Sequence, residues 1–290
     1  VQALKPGTFA RIEREWRDML GEGTLWSARE NAVYWTDILA PALNRLSLDD
    51  GAMQRWTMPA PLGWVAERAE GGFIGGFQDG FARIALDPLV ITPLGDPEPH
   101  LPGSRMNDGK ADASGAIWCG TMDMAEEQDV GALYRFDPDG RWELMDSGYR
   151  VPNGPAFSPC GRWLYHSDTA RRVMYRFARK ADGGLSDRQP FIRFAEEDGY
   201  PDGMTVDAEG HLWVAHWGGG RVSRFTPDGM LDRSITLPAR QVTNICFAGE
   251  TLDRMFVSSA GVGLPESEYD GALFELFPGV QGLPTCQFAG

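Results

Sequence analysis

Acidic and amide side chains recur beside glycine or proline in this 290-residue chain, in settings typical of tight turns. The members of this set are Glu22, Asn107, Asp108, Asn153 and Asp202. Carboxylate and amide oxygens are ligands that Ca²⁺, Mg²⁺ and Mn²⁺ take in proteins. Asn-Gly and Asp-Gly are also the commonest turn dipeptides, so any one of them alone carries no functional meaning. A shared position in a repeated structure would favour a common metal site.

Asp202 has the most restricted surroundings of the set, because it stands between Pro201 and Gly203. Proline fixes its own φ angle, and glycine permits a positive φ directly afterwards. We therefore expect Asp202 on a bend and not in mid-strand. Residues 205–215 follow the pattern of a strand, a Glu-Gly turn and a second strand, which predicts that the bend is the entrance to a β-hairpin.

A short apolar and aromatic phrase recurs at intervals of about 40 to 50 residues, the length of one four-stranded propeller blade. Its six copies lie at residues 32–37, 72–76, 116–121, 163–168, 211–216 and 254–259. A turn precedes each copy, and an alternating apolar and polar strand follows it. This repeat predicts an all-β fold, a six-bladed β-propeller. In four of the six units the acid and amide set lies just upstream of the phrase, where loops are expected to enter the inner strands.

The even repeat leaves no linker, so we expect residues 1–290 to form a single domain. The terminal segments 9–20 and 273–288 are expected to pair in one blade and to close the ring. Residues 87–103 are rich in proline and are expected to form a surface loop.

The composition disfavours several classes of partner. A net charge of −14 and a pI of about 4.7 argue against nucleic acid, whose phosphates require a basic face. The chain has no window of about 20 apolar residues for a membrane span, and residues 1–10 lack the pattern of a secretory leader. The cysteines form no CxxC pair, which predicts free thiols in a reducing cytoplasm. We expect a cytoplasmic monomer or weak homo-oligomer.

Five further polar residues have simpler interpretations. His166 and His216 lie within the repeated phrase and could face the channel, but a histidine among strand aromatics is more often a packing residue. Asp37 and Asp168 each end a copy of the phrase and are expected to brace the blades as hydrogen-bond acceptors. Lys110 is expected to be an ion-pair partner.

Taken together, several motifs resemble the signatures of the SMP-30/gluconolactonase/LRE family, which includes bacterial sugar lactonases. They occur in order as Gly21-Glu22-Gly23-x-x-Trp26, Arg105-Met106-Asn107-Asp108-Gly109-Lys110, Gly120-Thr121-Met122, Asn153-Gly154 and Tyr200-Pro201-Asp202-Gly203. The resemblance implies a six-bladed propeller that hydrolyses an aldonolactone to its aldonic acid. It also implies one divalent metal ion held by Glu22, Asn153 and Asp202.

The same resemblance implies that Arg105 and Asn107 contact the substrate. This chain departs from the family pattern after Gly120-Thr121-Met122, where the stretch before the next acidic residue is longer. Asp123, Glu126 and Glu127 therefore all remain candidates for a contact with a sugar hydroxyl. We take Asp123 and Glu126 forward as substrate-binding candidates.

The expected chemistry suits these residue types. A lactone is an ester whose carbonyl oxygen gains negative charge during attack, so a Lewis-acidic metal stabilises the transition state and a carboxylate can accept the proton of the attacking water. Asp202 is the predicted base. The metal could be Ca, Zn, Mn, Mg or Fe, because two carboxylates and an amide accept all of these ions.

Two alternatives stay open at this stage. The first is a non-catalytic propeller that binds a metal or a partner at its mouth without turnover. The second is a lactonase or arylesterase that acts on a non-sugar ester, which would need an apolar pocket in place of the polar Arg105 and Asn107. Turnover of sugar lactones distinguishes both from the first hypothesis.

Overall fold

The computed structural model of the chain describes residues 7–290. These residues form six four-stranded antiparallel sheets arranged as the blades of a β-propeller, which confirms the predicted fold class. Apart from strands, turns and loops they contain two single-turn 3-10 helices, Thr169–Arg171 and Glu196–Asp198. The predicted single domain includes residues 1–6, which lie outside the described part, and stays a prediction.

Blades 1 to 5 each begin with the innermost strand and proceed outward along the chain, whereas blade 6 takes its outermost strand from the N-terminal part of the chain. A first strand, β1 (Phe9–Arg11), precedes blade 1, which consists of β2 (Gly21–Ser27), β3 (Ala32–Asp37), β4 (Ala42–Ser47) and β5 (Met53–Thr57). Blade 2 consists of β6 (Leu62–Glu67), β7 (Phe73–Phe77), β8 (Gly80–Leu86) and β9 (Leu89–Gly95). Blade 3 consists of β10 (Ser104–Ala111), β11 (Ile117–Asp123), β12 (Gly131–Phe136) and β13 (Trp142–Tyr149).

The second half of the ring repeats this order. Blade 4 consists of β14 (Pro152–Phe157), β15 (Trp163–Asp168), β16 (Val173–Ala178) and β17 (Gln189–Arg193). Blade 5 consists of β18 (Tyr200–Val206), β19 (Leu212–Trp217), β20 (Arg221–Phe225) and β21 (Leu231–Thr236). Blade 6 consists of β22 (Gln241–Ala248), β23 (Arg254–Ala260), β24 (Phe274–Leu276) and the N-terminal β1.

The ring closes where the two ends of the chain meet, as predicted. Strand β1 pairs antiparallel with β24, with Phe9 opposite Leu276 and Arg11 opposite Phe274. The innermost strands contact one another all the way round, from β2 and β6 to β22 and β2. The central channel is therefore lined by one strand from every blade.

One expected loop contains a strand. Within residues 87–103, β9 forms the outermost strand of blade 2, with Pro93 opposite Ala82 of β8. The prediction of an irregular loop was wrong here, because an outermost strand has a free edge and tolerates a residue without an N–H. Residues 96–103 after β9 do form a connecting loop.

The apolar core lies between the blades. Within residues 7–290 it consists of six clusters, each shared by two neighbouring blades. Between blades 5 and 6, for example, Trp213 packs edge-on against Phe247 with ring centroids 6.4 Å apart. Truncating such a buried aromatic to alanine typically costs about 3–5 kcal/mol. The repeated phrase is therefore mainly a packing signal.

The phrase forms the second strand of each blade, one position away from the channel. His166 on β15 packs against Tyr149 with ring centroids 5.0 Å apart, and His216 on β19 packs against Phe194 at 5.1 Å. Both contacts support the packing interpretation of these histidines.

Asp37 and Asp168 brace the blades as expected. Asp37 accepts hydrogen bonds from the backbone N–H groups of Met19 and Leu20, at 3.2 and 3.1 Å. Asp168 accepts one from the backbone N–H of Arg150 at 3.1 Å. In each case the end of a second strand holds the segment that leads into the innermost strand. Among the described residues, no helix has the length and apolarity that crossing a membrane requires.

Candidate functional site

The innermost strands of all six blades lose register with their neighbours at the same depth of the channel. The breaks lie between Glu22 and Leu25, Leu62 and Trp64, Met106 and Gly109, Asn153 and Ala156, Pro201 and Met204, and Val242 and Ile245. Such bulges leave residues unpaired and redirect their side chains. The acid and amide set of the sequence falls on these bulges.

Asp202 lies inside strand β18, on the bulge between Pro201 and Met204. The prediction of a bend at a hairpin entrance was therefore wrong, although the proline and glycine do mark an irregularity. Pro201 is still opposite His216 of β19, and the register breaks directly after it. The irregular backbone that Pro201 and Gly203 indicate is therefore a bulge within a strand and not a turn.

The carboxylates of Glu22 and Asp202 come together from blades 1 and 5. Both are buried, with 6% and 4% exposure, and they lie within hydrogen-bonding reach of each other. Burial, and then the negative charge of Asp108, raises the pKa of Glu22 to about 8. Burial and the charge of Glu22 raise the pKa of Asp202 well above its ordinary value. In the metal-free site the two carboxyl groups therefore favour their protonated forms, because two buried negative charges side by side would repel each other.

Asn244 on β22 joins this group and was missed by the sequence analysis. Its Nδ2 donates to Glu22 Oε2 at 3.0 Å and its Oδ1 accepts from Thr24 Oγ1 at 2.9 Å. The same amide nitrogen lies 3.5 Å from Asp108 Oδ2. A signal was available, because Asn244 precedes the sixth copy of the phrase much as Asp202 precedes the fifth.

Asp108 was noted in the sequence but was not assigned a role. Its carboxylate accepts the backbone N–H groups of Gly154 and Gly109, at 2.9 and 2.8 Å. Lys110 donates to the carbonyl of Met204 at 2.8 Å. Burial raises the pKa of Asp108, and the positive charge of Lys110 partly offsets that rise. Burial lowers the pKa of Lys110 itself. These contacts tie blades 3, 4 and 5 together beneath the two facing carboxylates.

Asn153 and Asn107 form an amide pair beside the carboxylates. Asn107 Nδ2 donates to the carbonyl of Pro152 at 2.8 Å and to Asn153 Oδ1 at 3.2 Å. Asn153 Nδ2 donates to Thr169 Oγ1 at 2.8 Å, and that hydroxyl donates to the carbonyl of Pro201 at 2.6 Å. Asn153 is therefore linked through one hydroxyl to the residue that precedes Asp202.

Arg105 lies on the same wall of the mouth. Its Nη1 donates to Asn107 Oδ1 at 2.8 Å and to the carbonyl of Met106 at 3.0 Å. Burial lowers its pKa, and the nearby charges of Glu126, Glu22 and Asp202 oppose that change.

The two acidic candidates after β11 differ in their surroundings. The carboxylate of Asp123 accepts backbone N–H groups of Glu127 and Gln128, each at 3.1 Å, and so closes its own turn. Glu126 is exposed, has a left-handed φ of 58°, and is the charge with the largest effect on Arg105. Between the two, Glu126 has the freer carboxylate.

The donor set fits a divalent cation. Two buried carboxylates in contact repel each other, and a bound dication would relieve this repulsion. Nowhere in residues 7–290 do three His, Cys, Asp or Glu side chains converge on one point. The oxygens of Glu22, Asp202 and Asn153 are of the types that hard cations bind.

Fold and site together define a six-bladed propeller with an acidic, oxygen-rich cluster in its central channel. A family model described as the SMP-30/Gluconolactonase/LRE-like region matches residues 20–261. The chain belongs to this family, as its motifs predict.

Named relatives cover almost the whole chain. The 6-deoxy-6-sulfogluconolactonase of Pseudomonas putida is 36% identical over 278 residues, with 94% of this chain and 96% of the relative covered. The L-arabinolactonase of Azospirillum brasilense is 33% identical, with 100% and 99% covered. The crystal structure of the calcium-binding protein regucalcin from Agrobacterium tumefaciens matches with a TM-score of 0.91 at 30% identity, over 97% of each chain.

Proposed function

We propose that this chain hydrolyses a sugar lactone, an aldono-1,4- or 1,5-lactone, and releases the aldonic acid. The chain is a hydrolase of carboxylic esters, the class to which its lactonase relatives belong. The observation that carries the substrate assignment is the pair of facing carboxylates, Glu22 and Asp202, beside the polar side chains of Arg105 and Asn107. A polyhydroxylated ring matches such donors and acceptors better than an apolar ester does.

We further propose that the reaction depends on a divalent metal ion. Glu22, Asn153 and Asp202 would hold it, through two carboxylates and one amide oxygen. A bound ion supplies Lewis acidity, which polarises the lactone carbonyl and lowers the pKa of nearby water. Calcium is named for the regucalcin relative; for this chain Ca, Zn, Mn, Mg and Fe are all compatible with the donor types.

The side chains of the protein carry out the remaining roles. Asp202 would accept the proton of the attacking water; a dication in contact with its carboxylate would lower the pKa of that group, so Asp202 would be a modest base toward a water that the ion also acidifies. Arg105 binds a ring hydroxyl or the oxyanion that develops on the carbonyl oxygen. Asn107 is already oriented by its bonds to Pro152 and Asn153, so it can bind a second hydroxyl without losing much side-chain freedom. Glu126 and Asp123 are the candidates for hydroxyls at the rim.

A lactone panel with and without chelator tests this proposal. The purified protein is assayed on glucono-1,5-lactone and arabinono-1,4-lactone, then after chelation, and then after each of the five metals is restored. We expect chelation to remove most of the activity and one or more metals to restore it. Activity that is indifferent to chelation would contradict the metal dependence. Metal binding without turnover of any lactone would instead support the non-catalytic propeller.

A further inference from the structure

Glu98 is a buried glutamate outside the carboxylate cluster of the channel. It is 5% exposed and lies in the loop of residues 96–103 that leads into β10. Its carboxylate accepts three hydroxyl groups, from Ser104 at 2.5 Å, Thr121 at 2.9 Å and Tyr134 at 3.2 Å. These donors come from three successive strands of blade 3, β10, β11 and β12. Glu98 therefore fastens the loop to the blade across its inner three strands.

The loop is in turn connected to both charged candidates at the mouth. On one side it continues through Ser104, whose N–H donates to the carbonyl of Leu101 at 2.8 Å, directly into Arg105. On the other side, the carbonyl of Gly103 accepts the N–H of Met124 at 2.9 Å, at the start of the turn that carries Glu126. A shift of the loop would move both side chains.

A half-open pocket of about 90 Å³ lies between the loop and the blade, lined by Pro97, Glu98 and Leu101 on the loop and by Arg105 and Thr121 on the blade. Glu98 and Arg105 therefore border the same space. The hydrogen bonds to Glu98 span the same region. Among the ion pairs of the described residues none involves Glu98, so the three hydroxyl donors compensate for the burial of its carboxylate.

We propose that Glu98 is a positioning residue for substrate binding, which fixes the 96–103 loop and with it the separation of Arg105 and Glu126. The carboxylate of Glu98 already accepts three hydroxyl groups, so we assign it no contact with the substrate. The inference depends on the proposed function, and of the two roles given there for Arg105 it takes the first, in which Arg105 binds a ring hydroxyl of the lactone. It predicts an effect on substrate affinity with little effect on the chemical step.

The variants Glu98→Ala and Glu98→Gln test the proposal, with Glu67→Ala as a matched control. Glu67 is 3% exposed and accepts a serine hydroxyl, from Ser27 at 2.5 Å, but it lies at the far end of β6 from the register break. For glucono-1,5-lactone we expect E98A to raise KM about tenfold with kcat within about threefold of wild type. E98Q, which keeps an acceptor, should have a smaller effect, and E67A should leave KM unchanged.

A double-mutant cycle with Arg105→Ala separates positioning from general destabilisation. If Glu98 acts through Arg105, then R105A and R105A/E98A should have kcat/KM values equal within about twofold. An equal loss from E98A in both backgrounds, or a loss confined to kcat, would overturn the proposal. If E98A does not fold, Ser104→Ala removes one donor next to Arg105 and should raise KM about threefold, and an unchanged KM would count against the proposal.

The two levels of inference fail in different ways. A wild-type protein that hydrolyses no lactone contradicts the proposed function itself. Lactone hydrolysis with an unchanged KM in R105A leaves the function intact but overturns the role of Glu98.

Discussion

The triplet Pro-Asp-Gly occurs at residues 138–140, 201–203 and 227–229, and the last two copies have opposite surroundings. Asp202 lies inside strand β18, is 4% exposed and faces the carboxylate of Glu22. Asp228 is exposed in the turn between β20 and β21, which is closed by a hydrogen bond from the N–H of Thr226 to the carbonyl of Met230 at 2.8 Å. Identical neighbours in the sequence thus give a buried site residue in one place and a solvated turn residue in the other.

The difference comes from the position of each triplet within a blade. The copy at residues 227–229 connects two paired strands, so its residues close a short hairpin and point to solvent. The copy at residues 201–203 lies on an innermost strand, where the bulge between Pro201 and Met204 leaves Asp202 out of the ladder. Place in the ring, and not the local triplet, decides which aspartate can do chemistry.

The largest expected effect is the difference in activity between variants of Asp202 and of Asp228. Asp202→Asn should lower kcat/KM for a hydrolysed lactone by about 10³-fold, because it removes the proposed base and one metal ligand. Asp228→Asn is the matched control and should stay within about twofold of wild type. Steady-state kinetics of both variants, with the same metal loading, makes the comparison. Comparable losses in the two variants would mean that the turn aspartate matters as much as the buried one.

The sequence predicted the propeller because its signal is local and repeated. Each blade needs an apolar second strand, and the phrase at residues 163–168 or 211–216 marks that strand without any knowledge of its neighbours. The sequence also placed Glu22, Asn153 and Asp202 near one end of the channel, since each precedes a copy of the phrase.

The remaining details of the site depend on contacts between distant parts of the chain. Asn244 and Glu22 are 222 positions apart and meet only when the ring closes. The bulge at Asp202 depends on how β18 pairs with β19, which local composition does not specify. The roles of Asp108 and Glu98 likewise follow from hydrogen bonds to neighbouring strands and blades, and no turn or periodicity signal encodes them.

A second measurement compares the two aspartates through the pH dependence of stability in metal-free protein. The pKa of Glu22 is raised from 4.5 to about 8 by burial and by Asp108, and that of Asp202 is raised as well. The folded protein then keeps protons that the unfolded chain has released, so this contribution to stability is complete below pH 4.5 and is lost as the pH rises through about 8. The free energy of unfolding should fall by up to about 1.4 kcal/mol per pH unit for each such group.

Urea unfolding between pH 5 and 8 in the presence of chelator measures this slope. Asp202→Asn removes one of the carboxyl groups whose pKa is raised and should give a shallower slope than wild type. Asp228→Asn should have the same slope as wild type, because the carboxylate of Asp228 is exposed in a turn. If wild type and both variants had the same slope, the pH dependence of stability would not come from the facing carboxylates of Glu22 and Asp202.

The smallest expected effect concerns the glycines of the two triplets. A Cβ atom at Gly203 would lie 2.3 Å from Nδ2 of Asn244, the group that donates to Glu22, so Gly203→Ala should displace that amide and lower kcat/KM by roughly tenfold. Gly229 has a φ of 85°, so Gly229→Ala should cost about 1–2 kcal/mol of stability through backbone strain, with kcat/KM unchanged. Steady-state kinetics and thermal unfolding of both variants test whether G203A mainly loses activity and G229A mainly loses stability. If G229A lost activity and G203A did not, the prediction would be contradicted. The turn at residues 227–229, and not the bulge at residues 201–203, would then be the part of the chain that activity depends on.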